Sequence, residues 1–203
     1  MRSKEEVVQE FRVQSLRDAA MRVIARRGMA AATMQEIADE AGVAKGTIYL
    51  YFKDRDELVD STFESALRQL HERIDAAVEA EGTIEGKLRA GIRTILSFFK
   101  GNREFFRLYA EHRFPEGSSR RHQRHCDQYR ERTQRLAAML EKAMEQGEIR
   151  RLDARRLALF VTEGINAIVV ERVMEEDPPP EEQDVELIVD VILGGVRAER
   201  SAE

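Results

Sequence analysis

Thr33–Lys53 reads TMQEIADEAGVAKGTIYLYFK, and this stretch decides the fold. Thr33 is a good helix N-cap, and Glu36 three residues on completes a capping box that satisfies two otherwise orphaned backbone donors. Ile37 and Ala38 supply the buried face of a short helix. Ala41-Gly42-Val43 forces a sharp turn, because Gly42 can take the positive φ that ends a helix. Ala44 to Phe52 restarts as a helix with Ile48 and Phe52 four apart and facing inward, which leaves Lys45, Thr47, Tyr49 and Tyr51 on other faces. Two short helices around a tight turn, the second carrying Lys, Thr and Tyr outward, form a helix-turn-helix whose second helix suits the DNA major groove.

Working outward, Leu16, Ala19, Ala20, Val23 and Ile24 recur at helical spacing from Phe11 on, with Arg12, Arg17, Arg22, Arg26 and Arg27 on much of the other face. Gly28 ends that helix, and its arginines are expected to meet the DNA backbone. Residues 1–10 read as a charged, frayed arm. Asp54, with Glu57 three residues on, caps a helix through Leu58, Phe63, Leu67, Leu70 and Ile74, a plausible lever between two halves of the chain.

Over Leu16 to Leu58 the chain resembles the TetR (tetracycline repressor) family of transcriptional regulators. The residues that carry the resemblance are ARRGMAAATMQEIADEAGV, AKGTIYLYF and KDRDEL. Ala44 departs from the usual Ser or Thr, and Leu50 from a frequent His or Trp; both departures bear on base preference. The resemblance implies that Lys45, Gly46 and Tyr49 reach base edges or thymine methyls. It implies that Thr33, Thr47, Tyr51 and Lys53 hold phosphates, with Arg55 adding to them. Chemistry agrees, since hydroxyls and helix N-terminal amides suit phosphate oxygens and Lys reaches guanine O6 or N7. For Tyr51, packing inside the small helical core is the competing reading.

The 203 residues fit one domain or two small ones, and 42% hydrophobic residues suffice for a core. A formal net charge of −5 excludes a surface coated in Lys and Arg, so any DNA-reading surface must be locally basic. Cys126 is the single cysteine and agrees with a reducing compartment. MRSKEEVVQEFR has no apolar run of signal-peptide length, which gives the expectation of a soluble cytoplasmic protein with no membrane partner.

Beyond the helix-turn-helix, breaks at Glu81-Gly82-Thr83, Lys100-Gly101-Asn102, Gly147 and Asp177-Pro-Pro-Pro180 divide the chain into further helices, with Arg113–Ser119 a loop and Asp153 another cap. No hairpin signature interrupts them, and the expected class is all-α. The expected domains are 11–57, with the helix-turn-helix at about 33–52, and an effector-binding and dimerisation domain over 58–203. The last two helices are apolar on more than one stripe. Deep burial would account for that; so would a self-complementary surface built from Phe160, Gly164, Ile168, Ile188, Val191 and Ile192. The family resemblance implies the second, a two-fold four-helix dimer interface.

Phe98, Phe99, Phe105, Phe106, Tyr109, His112 and Tyr129 concentrate aromatic and polar groups in the middle third of the chain. The family resemblance places an effector pocket among the middle helices, and the cluster suits a small hydrophobic effector, fatty acyl or aromatic. Ordinary core packing is the alternative for any one Phe. His122, His125 and Cys126 have helical spacing for a metal, but neighbouring arginines would repel a cation, and no metal or cofactor is expected. No Gly-rich phosphate loop or nucleophile elbow supports an enzyme. The expected function is a ligand-responsive regulator, a repressor that binds a palindromic double-stranded DNA operator as a homodimer. Two alternatives stand beside it: an effector-independent DNA-binding protein, and a helical partner-binding module.

Overall fold

The computed structural model describes residues 3–28, 30–100, 106 and 120–196, with 120–126, 128 and 196 described as backbone only. Among the described residues there are eight helices: α1 Lys4–Arg27, α2 Met34–Ala41, α3 Lys45–Ile48, α4 Arg55–Glu79, α5 Ile84–Lys100, α6 Arg120–Glu145, α7 Ala154–Met174 and α8 Glu181–Val196. The all-α expectation holds. The described residues divide into two compact units, the first containing 3–28, 30–71 and 106, the second 72–100 and 120–196.

In the first unit, α1 starts earlier than the apolar periodicity indicates. The Ser3 hydroxyl accepts from the Glu6 amide at 3.1 Å, and the Glu6 carboxylate accepts from the Ser3 amide at 2.7 Å. This capping box draws residues 4–10, read from sequence as a frayed arm, into the helix as exposed turns. Further along, Leu16, Ala19, Ala20, Val23 and Ile24 are buried as their spacing requires. Helix α2 packs across α1, and α4 is tied to α1 by Arg17 Nε donating to the Ser61 hydroxyl (2.9 Å) and the Ser65 hydroxyl donating to Gln14 Oε1 (3.2 Å).

The second unit buries Leu88, Ile92, Leu96, Leu140, Val161, Val169, Val185 and Val189, and capping groups and charge pairs fix the ends of its helices. Glu148, just past Gly147, accepts from the first amide of α5, Ile84, at 2.9 Å, and Asp153 caps α7 by accepting from Arg156 at 3.0 Å. The acidic first turn of α8 docks on α5: Arg93 pairs with Glu182 at 2.7 Å, while Glu181 accepts from Ser97 at 2.6 Å and faces Lys100 at 3.1 Å. The Pro-rich connection between α7 and α8 is closed by Arg172, whose guanidinium holds the Asp184 carboxylate and the Pro179 carbonyl. Gly91 brings α5 close to α4, since a Cβ there would touch Val78 at 3.4 Å.

The Arg172–Asp184 pair is nearly buried, with side chains 10% and 12% exposed. Arg172→Met strands a buried carboxylate and is expected to lower stability by about 3 kcal/mol in urea denaturation. Arg172→Met with Asp184→Leu is expected to recover most of the loss, because neither charge is then left buried alone.

Candidate nucleic-acid interface

The α2 entry is built as its sequence indicates. Thr33 Oγ1 accepts from the Glu36 amide at 3.2 Å, and Glu36 Oε2 accepts from the Thr33 amide at 3.1 Å and from its hydroxyl at 3.0 Å. These bonds hold the Glu36 carboxyl below its ordinary value, the Thr33 hydroxyl contributing most. At the other end, Gly42 takes φ +67°, ψ 32°, and the Val43 amide reaches back to the Ala38 carbonyl at 3.0 Å. That is the left-handed C-cap expected of Gly.

The second helix is much shorter than expected. Helix α3 covers four residues, after which 49–51 continue as turns closed by Leu50 to Thr47 (3.2 Å) and Tyr51 to Ile48 (2.9 Å). Ala44 offers no capping oxygen. Gly46 and β-branched Thr47 and Ile48 add little helix propensity, so the segment tightens instead of extending. Ile48 and Phe52 are buried as expected and pin the segment from below.

Lys45, Gly46, Tyr49 and Lys53 are exposed, Thr47 and Tyr51 half-buried. Tyr49 is 49% and Leu50 79% exposed, large apolar surfaces at the tip of the segment. Thr33 is exposed, but its hydroxyl is engaged as the α2 cap. Tyr51 accepts from Arg12 Nη1 at 3.3 Å, which ties the end of the segment to α1. Arg55 Nε donates to the Ala32 carbonyl at 2.7 Å, so this side chain helps hold the loop before α2. Lys53 heads α4: its amide donates to Glu57 at 2.5 Å, and Asp54 accepts from the Glu57 amide at 2.9 Å.

Arg22, Arg26 and Arg27 stand exposed on α1, and each is held by an acid of α2. Arg22 and Arg26 both hold Glu40, at 2.6 and 2.5 Å, and Arg27 pairs with Glu36 at 3.3 Å. The acids that capture them, Glu36 and Glu40, lie four residues apart on α2, one turn above each other.

Of the aromatic cluster, Phe98 and Phe99 meet edge to face at 5.3 Å, with Phe99 buried, and Phe106 is buried. Phe105, Tyr109 and His112 lie outside the described residues, as do the side chains of His122, His125 and Cys126. Tyr129 donates to Glu163 at 2.8 Å and lies under the Arg132 guanidinium at 5.8 Å. Glu163 is a partner that sequence reasoning missed; its signal was a lone carboxylate in the apolar run FVTEGINAIVV.

On the last two helices, Phe160 is 66% and Val191 59% exposed, Gly164 is exposed and Ile168 half-buried. Ile188 and Ile192, expected on the outer surface, are 8% and 6% exposed and belong to the core of their own unit. Leu187 takes their place beside Val191, because the outward stripe of α8 lies one position earlier in the helical turn. Phe160, Gly164 and Ala167 share one exposed stripe of α7.

Residues 16–62 match the profile of bacterial regulatory proteins of the tetR family. This segment is a TetR-family domain. The chain is 38% identical over 85 residues to the fatty acid metabolism regulator protein of Bacillus subtilis (strain 168), covering 42% of this chain and 44% of that one. It is 39% identical over 84 residues to the transcriptional regulator TtgR of Pseudomonas putida, covering 41% and 39%. The chain thus spans less than half the length of the curated relatives it matches. Among solved structures, the regulator FadR of Bacillus subtilis in complex with stearoyl-CoA superposes with TM-score 0.74 at 24% identity, over 91% of this chain and 99% of that one. A protein from Rhodococcus sp. RHA1 gives 0.76 at 22%, over 92% and 95%. The chain thus shares the fold of these two structures over more than nine-tenths of its length. No helix among the described residues is long and apolar enough to cross a membrane.

Gly42→Ala is expected to cost about 1 kcal/mol of stability, read by thermal or urea unfolding. An added Cβ would meet nothing within 4 Å, so the cost is that of a left-handed L-residue alone.

Proposed function

We propose that the chain is a cytoplasmic, homodimeric transcriptional regulator that represses by binding a palindromic operator and leaves it when a small hydrophobic effector binds. The observation that carries the reading is the segment over α3. Two buried anchors, Ile48 and Phe52, hold it in place while Lys45, Gly46 and Tyr49 stand exposed beside one another. Such a surface can enter a major groove, with Lys45 at a guanine edge, Tyr49 against thymine methyls and the Gly46 backbone in close approach. Thr33, Thr47, Tyr51 and Lys53 then face phosphates, Tyr51 through a hydroxyl already polarised by Arg12. Arg55 supports this surface from within. Residues 11–57 form the DNA-binding domain and 58–203 the effector-binding and dimerisation domain. The role proposed is regulatory rather than enzymatic.

The exposed stripes of α7 and α8 support a two-fold interface: Phe160, Gly164 and Val191 as expected, Leu187 in place of Ile188 and Ile192. A two-fold dimer on a palindromic operator needs its two reading segments about one DNA turn, ~34–36 Å, apart. The structural relative solved with stearoyl-CoA supports an acyl effector. Phe98, Phe99 and the Tyr129–Glu163 pair are the described groups that would meet it. By linkage, the effector weakens DNA binding by the factor by which DNA weakens effector binding.

Selection of random duplexes by the purified protein tests the reading. A palindromic winner is expected, and Lys45→Ala is expected to bind it about 5- to 150-fold more weakly, the ~1–3 kcal/mol of one base contact. Gly46→Ala separates reading from folding: nothing lies within 4 Å of the added Cβ, so stability holds or rises by about 0.5–1 kcal/mol while operator affinity falls. No enrichment of any sequence, with or without acyl compounds, would sink the proposal. For the interface, Phe160→Glu with Val191→Glu is expected to give a folded species of half the mass in sedimentation; an unchanged mass would remove α7 and α8 from the dimer contact.

A further inference from the structure

We propose that Glu36 and Glu40 are internal stand-ins for DNA phosphate, keeping three arginines and one phosphate-binding threonine of the DNA-binding domain occupied until a duplex displaces them. This rests on the DNA-binding reading above. Glu40 receives Arg22 Nε at 2.6 Å and Arg26 Nη2 at 2.5 Å, one carboxylate oxygen each. Glu36 receives the Thr33 hydroxyl and amide and pairs with Arg27 at 3.3 Å. Guanidinium N–H groups donate to carboxylate and phosphate oxygens alike, so each of these single contacts is a ready exchange site. All three arginine side chains are more than half exposed. Exposed pairs of this kind add little to stability, so exchanging the partner is cheap.

Both acids are committed to this role at neutral pH. The arginines hold the Glu40 carboxyl below its ordinary value, Arg26 first and Arg22 second, and Thr33 does the same for Glu36. The consequence is a brake on DNA of any sequence. A duplex must compete with a carboxylate for each arginine, which suits a chain of net charge −5 whose exposed reading cations are few. Discrimination is then left to Lys45, Gly46 and Tyr49.

The test is binding of a random-sequence duplex by wild type, Glu40→Gln, Glu36→Gln and Asp39→Asn across a salt series, with thermal melts as the check on folding. Gln can still close the capping box, so Glu36→Gln keeps the α2 entry. Asp39→Asn makes the same charge change one residue away, at a carboxylate that accepts from Gln35 at 2.8 Å. Glu40→Gln is expected to tighten random-duplex binding several-fold at low salt. It should also steepen the slope of log K against log salt by about one to two, at ~0.9 for each phosphate neutralised. Glu36→Gln should steepen it by about one, and Asp39→Asn should leave the slope unchanged. Adding Arg22→Gln and Arg26→Gln to Glu40→Gln should abolish the gain. Equal effects of Glu40→Gln and Asp39→Asn would overturn the proposal, since net charge alone would then explain the change. A wild type that binds no DNA at any salt would instead overturn the DNA-binding reading itself.

Discussion

A helix of four residues cannot hold itself together: one turn fixes several dihedrals for scarcely one hydrogen bond. Helix α3 therefore exists because Ile48 and Phe52 are buried against the rest of their unit. Everything proposed for the surface depends on that anchoring. With the two apolar side chains fixed below, the exposed residues between and before them keep one orientation, and the turn at Gly42 fixes where the segment begins. The same anchoring explains why the shortened helix does not disperse the candidate residues. Lys45, Gly46 and Thr47 lie within it, and Tyr49 and Tyr51 follow in turns closed by their own backbone bonds.

How much of this was legible in the sequence follows from the range of each interaction. The Thr33–Glu36 box, the Gly42 turn and the caps at Asp54 and Asp153 are settled within four residues of chain, and sequence indicated each of them. The α1 start is equally local, set by the Ser3–Glu6 box, but the apolar stripe that marks the helix begins only near Leu16. Contacts across elements were not legible. Glu40 gathers Arg22 and Arg26 from 18 and 14 residues away, and Tyr129 finds Glu163 34 residues on. The outward stripe of α8 was misplaced for a related reason. Periodicity shows that a helix has two apolar faces, but only packing decides which one its own unit claims.

The second unit shows charge used for docking rather than for recognition. Arg93, Ser97 and Lys100 on α5 receive the first turn of α8, and Arg172 closes the connection that precedes it. With these ends fastened, the remaining apolar stripes of α7 and α8 are free to face outward. Phe160, Leu187 and Val191 stay exposed while Val161, Val169, Val185 and Val189 are buried on the same two helices.

Helix α4 has a geometric consequence. Its 25 residues make a rod of about 37 Å at ~1.5 Å per residue, and the chain passes from the first unit to the second along it. Turned by only about five degrees around one end, such a rod carries the other through roughly 3 Å, close to the ~3.4 Å rise of one base step. For a long helix, a tilt smaller than many side-chain rearrangements is thus a displacement of one base step at its far end.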